Sequence, residues 1–266
     1  MRLPLILALL AGPAFGQERI PSHGIALAAA EPQVVPVALE GGLEADSVLI
    51  RYLDHASFAI VTADGTVAVT DYTGYLGTQD VVPDVVTMNN VHHTHWTAAP
   101  DRRIPHVLPG WGDGAAKAEH RLDLGSMLVR NVTTDTRGPF GEGARRDGNS
   151  VFIFEAAGLC IGHLGHLHQI PSDEQYAAIG RLDVVMVPVD GGWTMRMADM
   201  AGVVRRLRSS VVIPMHWFSD ASLRAFLTEM SAELTVVETG GAQIALSLDD
   251  LPSQPTIMVL EPAYLD

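Results

Sequence analysis

Cysteine is almost absent from this 266-residue sequence. The single one, Cys160, forbids an internal disulfide, so an oxidising compartment is neither required nor ruled out. Positive charge is also scarce, with 17 Lys and Arg against 31 Asp and Glu for a formal net charge of −14. The densest basic cluster is RRLR at 205–208, which argues against a nucleic-acid backbone as partner. Long apolar runs are missing too: beyond the first sixteen residues nothing approaches the roughly twenty that a membrane-spanning helix needs. A composition of 47% hydrophobic and 18% charged residues is that of an ordinary globular chain.

The chain opens with MRLPLILALLAGPAFG, where one Arg precedes the apolar run Leu3 to Leu10 and small residues follow. Ala14 and Gly16 stand where a signal peptidase reads, so residues 1–16 are expected to be a secretory signal cleaved before Gln17. Export to a bacterial periplasm follows, with no transmembrane anchor left after cleavage. Residues 17–46, rich in Pro, Ala and Gly, are expected as an extended lead, and residues 47–266 as the folded domain.

Short β-rich runs follow at Val48–Leu53, Phe58–Thr62 and Val67–Thr70, separated by Asp54-His55 and by the hairpin signal Asp64-Gly65. Further runs lie at Val85–Thr87, Met127–Val132, Val151–Phe154 and Leu159–Ile161. In the second half strands alternate with helices. Ser172 and Gln175 form a capping box for a helix through Ile179, and Asp183–Val187 reads as a buried strand. Met197, Met200, Ala201, Val204 and Leu207 mark one face of a second helix, so its methionines are core filler rather than metal ligands. Val211–Ile213 is another buried strand, and Ser219 caps a helix with Leu223, Phe226, Leu227 and Met230 on its stripe. The pattern is α/β. Asn131-Val132-Thr133 has the form of a glycosylation acceptor but begins inside a strand, and the glycines of GWGDG at 110–114 lack a phosphate loop's spacing.

The histidines stand out. Of eleven, His92, His93 and His95 follow the run Val85–Thr87, His163, His166 and His168 follow Leu159–Ile161, and His216 follows Val211–Ile213. The carboxyl ends of strands are where α/β sheets gather ligands, and neutral imidazole is the commonest metal ligand.

At these residues the sequence resembles the metallo-β-lactamase superfamily, in particular the branch of ascorbate-6-phosphate lactonase-like metal-dependent hydrolases. YLDHASFAI at 52–60, VAVTDYTGY at 67–75, PDVVTMNNVHHTH at 83–95, CIGHLGHL at 160–167, LDVVMVPVDGGWTM at 182–195 and VVIPMHW at 211–217 carry the resemblance in order. It implies a four-layer αββα sandwich with a metal site along one edge of two sheets. Laid on the family's His-x-His-x-Asp-His motif, Asn90 takes the first histidine's place, His92 and His95 match, and Thr94 replaces the aspartate. His163 and His216 match further ligands, whereas His166 replaces the aspartate that bridges two metals.

A carboxylate can bridge two cations and cancel charge; an imidazole offers one lone pair and cancels none. The expected site is therefore mononuclear and all-nitrogen, drawn from His92, His95, His163, His166 and His216. Zinc is the default ion, with copper, nickel, iron and manganese as alternatives, since a histidine-only site binds Cu(II) more tightly than zinc. His55 and Asp71 are expected to brace the ligands alongside Asn90 and Thr94, and Asp190 or His168 to handle protons. Trp96, Trp193 and Trp217 are expected at the pocket mouth, and the segment Arg137 to Asn149 as a lid or rim. Two readings remain: an exported hydrolase that activates water against an ester, lactone or phosphodiester of a small molecule, or a non-hydrolytic relative that binds a transition metal or small ligand. The oligomeric state is not legible.

Overall fold

The structure, a computed structural model, describes residues 42–137 and 144–266. The expected signal, and all of the 17–46 lead before Gly42, lie outside the described residues. Two mixed sheets pack face to face. The smaller has the order β13-β1-β2-β3-β4-β5, built from β1 (Ser47–Asp54), β2 (Ser57–Thr62), β3 (Val67–Val69), β4 (Val85–Met88), β5 (His106–Pro109) and β13 (Gln243–Ser247). The larger runs β12-β14-β11-β10-β9-β8-β7-β6. Its strands are β6 (Arg121–Asp123), β7 (Met127–Arg137), β8 (Ala144–Ala156), β9 (Leu159–His163), β10 (Val184–Pro188), β11 (Val211–Met215), β12 (Thr235–Glu238) and β14 (Thr256–Val259).

Alternation in the strands explains the layers. Val48, Ile50 and Tyr52 of β1 meet Phe152 and Phe154 of β8 in the core between the sheets, and Tyr52 stacks on Phe58 at 4.4 Å. In β10, Val184 and Met186 enter that core while Val185 and Val187 face the helices, so the strand is apolar throughout. The helices are α1 (Asp173–Ile179), α2 (Met197–Leu207) and α3 (Asp220–Met230). The expected capping box at Ser172 and Gln175 is present on α1, whereas Ser219 precedes α3 without a side-chain hydrogen bond. Met200 of α2 and Phe226 of α3 are buried against the larger sheet.

Among the described residues all three helices belong to the larger sheet. The outer face of the smaller sheet is covered instead by loops carrying Tyr72, Leu76, Ile104 and Leu265, so one outer layer of the sandwich is irregular here. Strands β5, β6, β12, β13 and β14 have no counterpart in the sequence reading. Three of these are half-exposed or exposed edge pieces with little apolar signal: β5, β6 and β12. The described residues of the segment Arg137 to Asn149 are strand rather than loop. Arg137 ends β7, and β8 starts at Ala144. Asn131 spends its side chain on the Ala118 carbonyl and Ser150 Oγ within that sheet. No helix among the described residues is long and apolar enough to cross a membrane.

Candidate metal centre

Parallel pairing aligns the carboxyl ends of β3 with β4 and of β9, β10 and β11 with one another. The segments leaving those ends bring histidines together with the β1–β2 turn. Two groups of three have ligand atoms mutually within 4.8 Å: His55, His95 and His216, and His92, His95 and His166. His95 belongs to both. Its Nδ1 is bonded to Asp71 Oδ2, so one nitrogen remains, and a single lone pair serves one ion. The two groups are alternatives rather than two filled sites.

Asp71 also accepts the Asn89 N–H at 2.8 Å. Full burial pushes its carboxyl up to about 7, against the field of His163 and the Asn89 N–H. His95 is held well below the usual imidazole value by burial and by His216 and His55. On the other side, His216 Nδ1 lies 2.9 Å from Asp190 Oδ2, although not in line for a hydrogen bond. Asp71 holds the His95 proton on Nδ1, so the His95 Nε2 presents a lone pair, and the His216 Nε2 stands 3.0 Å from it. The His216 tautomer with its proton on Nδ1, beside Asp190, turns a second lone pair toward the first, an arrangement that suits a shared cation. Two nitrogens on one tetrahedral zinc, each at about 2.0–2.1 Å, would stand about 3.3 Å apart.

His55 completes the group. Its Nε2 is buried without a partner, its ring is 3.9 Å from that of His216, and burial followed by the charge of His216 brings its pKa down to about 3. His55, Asp71 and His216 all have left-handed backbone, with φ of 45°, 43° and 60°. Such strain clusters at functional sites. Hydrogen bonds hold it in place: the His216 N–H and the Tyr52 hydroxyl both donate to the His55 carbonyl, at 2.7 and 2.6 Å.

His166 differs. The Arg137 N–H donates to His168 Nδ1 at 3.3 Å, so the proton of His168 sits on Nε2, which is 2.5 Å from His166 Nδ1. His166 then carries its proton on Nε2 and presents an N–H, not a lone pair, to the cluster. Burial, then His95 and His216, holds it neutral far below the usual range. Burial and Arg137 bring His168 down to about 4. The exposed rim member, His92, is braced by Thr94 Oγ1 at 3.0 Å.

The sequence motifs matching this arrangement cover most of the chain. The sequence profile of the β-lactamase superfamily domain matches residues 49–216. The chain belongs to the metallo-β-lactamase superfamily. It is 27% identical over 216 residues to a UPF0173 metal-dependent hydrolase of Symbiobacterium thermophilum, covering 73% of this chain and 94% of that one. A crystal structure from Thermotoga maritima, assigned as a Zn-dependent hydrolase of the superfamily, is similar with a TM-score of 0.58 at 25% identity, over 80% of this chain and 98% of that one. A metallo hydrolase from Ignicoccus hospitalis shares the fold, with a TM-score of 0.55 at 17% identity over 82% and 96% of the two chains.

Within this metallo-β-lactamase scaffold several expected roles change. His163 is not placed as a ligand: its Nε2–H donates to the Ala56 carbonyl at 2.7 Å, and its Nδ1 accepts from Asn89 Nδ2 at 3.0 Å and Gly165 N at 3.2 Å. As the last residue of β9 it points between the sheets, with Phe58 at 6.0 Å. His55, expected as a brace, is one of the three residues of a group that could hold an ion. Gly165 reverses the chain between His163 and His166. Its φ is +59°, and a Cβ there would come within 2.2 Å of Asn89 Nδ2. Asn149 Oδ1 then accepts the His166 N–H at 2.9 Å.

Asp190 is committed as well. Its Oδ1 accepts the N–H groups of Gly192, Trp193 and Thr194, and its Oδ2 the Thr194 hydroxyl at 2.7 Å. Burial opposes its ionisation, yet His216 and these donors hold it well below the ordinary carboxylate range. Asn90 is buried and bridges backbone to Asn149. Of the tryptophans only Trp193 is exposed beside the cluster. Trp96 packs edge-on to Trp111 outside the smaller sheet, and Trp217 packs on Tyr52 and lines a groove along α3. Asn89, Asn149 and Phe218 were not singled out by motif; their adjacency to ligating segments was the only signal.

Proposed function

We propose that this chain is an exported, metal-dependent hydrolase holding one divalent ion, zinc in the first instance, on His55, His95 and His216, and acting on an ester, lactone or phosphodiester of a small molecule. The observation that carries this reading is the pair of Nε2 atoms of His95 and His216 at 3.0 Å, each ring facing its own acid. The donor set fits the ion. Burial keeps His55 and His95 neutral, the buried Nε2 of His55 lacks a partner, and three imidazoles leave a coordination position for water.

On His55, His95 and His216 a zinc ion would supply a water ionising near a pKa of about 7 and polarisation of a carbonyl or phosphoryl oxygen. The protein's share is orientation. Asp71 and Asp190 set the tautomers of His95 and His216, and His168 directs the His166 N–H toward the position where negative charge develops on the substrate. The similarity to hydrolases over most of the chain supports the reaction class. The first sixteen residues support export to the periplasm.

Protein purified from the export compartment should contain one metal per chain and turn over lactone, ester or phosphodiester probes, with activity lost in His95→Ala and on chelation. Thr94 and His166, standing where the family has aspartates, favour a second reading, a metal-binding protein without hydrolysis. One tightly held equivalent with no turnover across that panel would decide for it.

A further inference from the structure

Four of the five large hydrophobic side chains exposed among the described residues follow strand ends that carry site residues: Val91 after β4, Ile170 after β9, Trp193 after β10 and Phe218 after β11. Trp193 is 72% and Phe218 63% exposed, and their rings are 6.3 Å apart. The Phe218 ring lies 5.0 Å from that of His55 and 5.5 Å from that of His216, so it forms a wall of the centre itself.

The exposure of Trp193 is not slackness of its loop. Asp190 holds the N–H groups of residues 192–194 from inside, while the Arg137 guanidinium donates to the Gly192 and Thr194 carbonyls at 3.1 and 2.8 Å from outside. The backbone is pinned on both sides of an indole left in water. A rigid aromatic displayed at a site's mouth loses little entropy when something covers it. The Arg137 guanidinium is spent on that loop, and a chain of net charge −14 offers no long-range attraction to phosphates.

We infer that the substrate is an uncharged ester or lactone bearing an apolar acyl or aryl group, which Trp193 and Phe218 bind beside the metal centre. This rests on the hydrolase reading and narrows it to carbonyl substrates.

The test uses the zinc-loaded mature protein and two homologous probe series: straight-chain carboxylates from acetate to octanoate by calorimetry, and the matching p-nitrophenyl esters by turnover. Full burial of a methylene is worth about fourfold in affinity, so Kd should tighten about twofold to fourfold per added carbon over the first several. In Trp193→Ser/Phe218→Ser, whose sites are exposed, that slope should flatten while zinc stoichiometry and thermal stability stay unchanged. A flat wild-type series, or a slope that survives in the double variant, overturns the inference. So does tight binding of phosphatidylglycerol vesicles by zinc-free protein that the double variant abolishes, because the aromatics would then face a membrane. Chain-length-dependent carboxylate binding without turnover of any ester would sink the hydrolase reading and leave the apolar subsite standing.

Discussion

His95 and His216 face each other Nε2 to Nε2 at 3.0 Å across the edge of the two sheets, with Asp71 behind one ring and Asp190 behind the other. Asp71 places the His95 N–H at the back and its lone pair at the front, and Asp190 beside His216 Nδ1 favours the same tautomer there. Two acceptors that close are stable around a cation, and His55 supplies a third donor whose buried Nε2 has no other partner.

His95→Ala should abolish metal binding, because this residue belongs to both candidate groups. His163→Ala should leave the metal in place yet destabilise the fold by about 2–4 kcal/mol, since it opens a cavity and strips the Ala56 carbonyl and Asn89 amide of a buried partner. Elemental analysis with thermal unfolding separates the two. Metal loss in a still-folded His163→Ala protein would return that residue to the ligand set.

Asp71→Asn keeps the shape, and asparagine tolerates the left-handed backbone at φ 43°. Its amide would donate to His95 Nδ1 and drive the ring's proton to Nε2, the wrong atom for a ligand. Metal affinity should fall about 10- to 100-fold with secondary structure intact. Competition against a chromophoric chelator reads this directly, and an unchanged affinity would show that the carboxylate does not set the tautomer.

Acid should destabilise the metal-free protein. Burial lowers the pKa values of His55, His92, His95, His163, His166 and His168, so below about 6.5 the unfolded chain takes up protons that the folded chain refuses. Stability is then present above 6.5 and drains away as pH falls toward the values of about 4 for His168 and about 3 for His55. Asp71, raised to about 7, contributes with the opposite slope, but one carboxyl does not outweigh six imidazoles. Tm should be nearly flat from pH 7 to 8 and decline steadily from 6.5 to 4. A flat profile through that lower window would mean that these rings titrate normally.

Cys160 should resist thiol reagents. Burial, then the charges of Asp183 and Glu155, pushes its thiol up to about 11, so little thiolate exists at pH 8. Labelling by a maleimide should be much slower in the folded protein than in urea, and equal rates would contradict the burial.

Much was legible in the residues themselves, where the signal is local. Short β-rich apolar runs mark β1 and β2, the stripe of Met200, Ala201 and Val204 marks α2, and the Ser172–Gln175 pair marks the start of α1. Histidines at strand ends announce a metal-binding edge for the same reason: strand direction is a local property, and carboxyl ends of parallel neighbours align. Ring direction is not local. Whether His163 or His55 joins the cluster depends on a glycine reversal at 165, on the Ala56 carbonyl arriving from the other sheet, and on left-handed turns at 55 and 216 that only packing enforces. The sequence by itself therefore determined that imidazoles gather at this edge. Tertiary structure alone decided which nitrogens remain free to bind, because a buried nitrogen such as His55 Nε2 stays free only where distant segments bring it no partner, whereas those of His163 are taken.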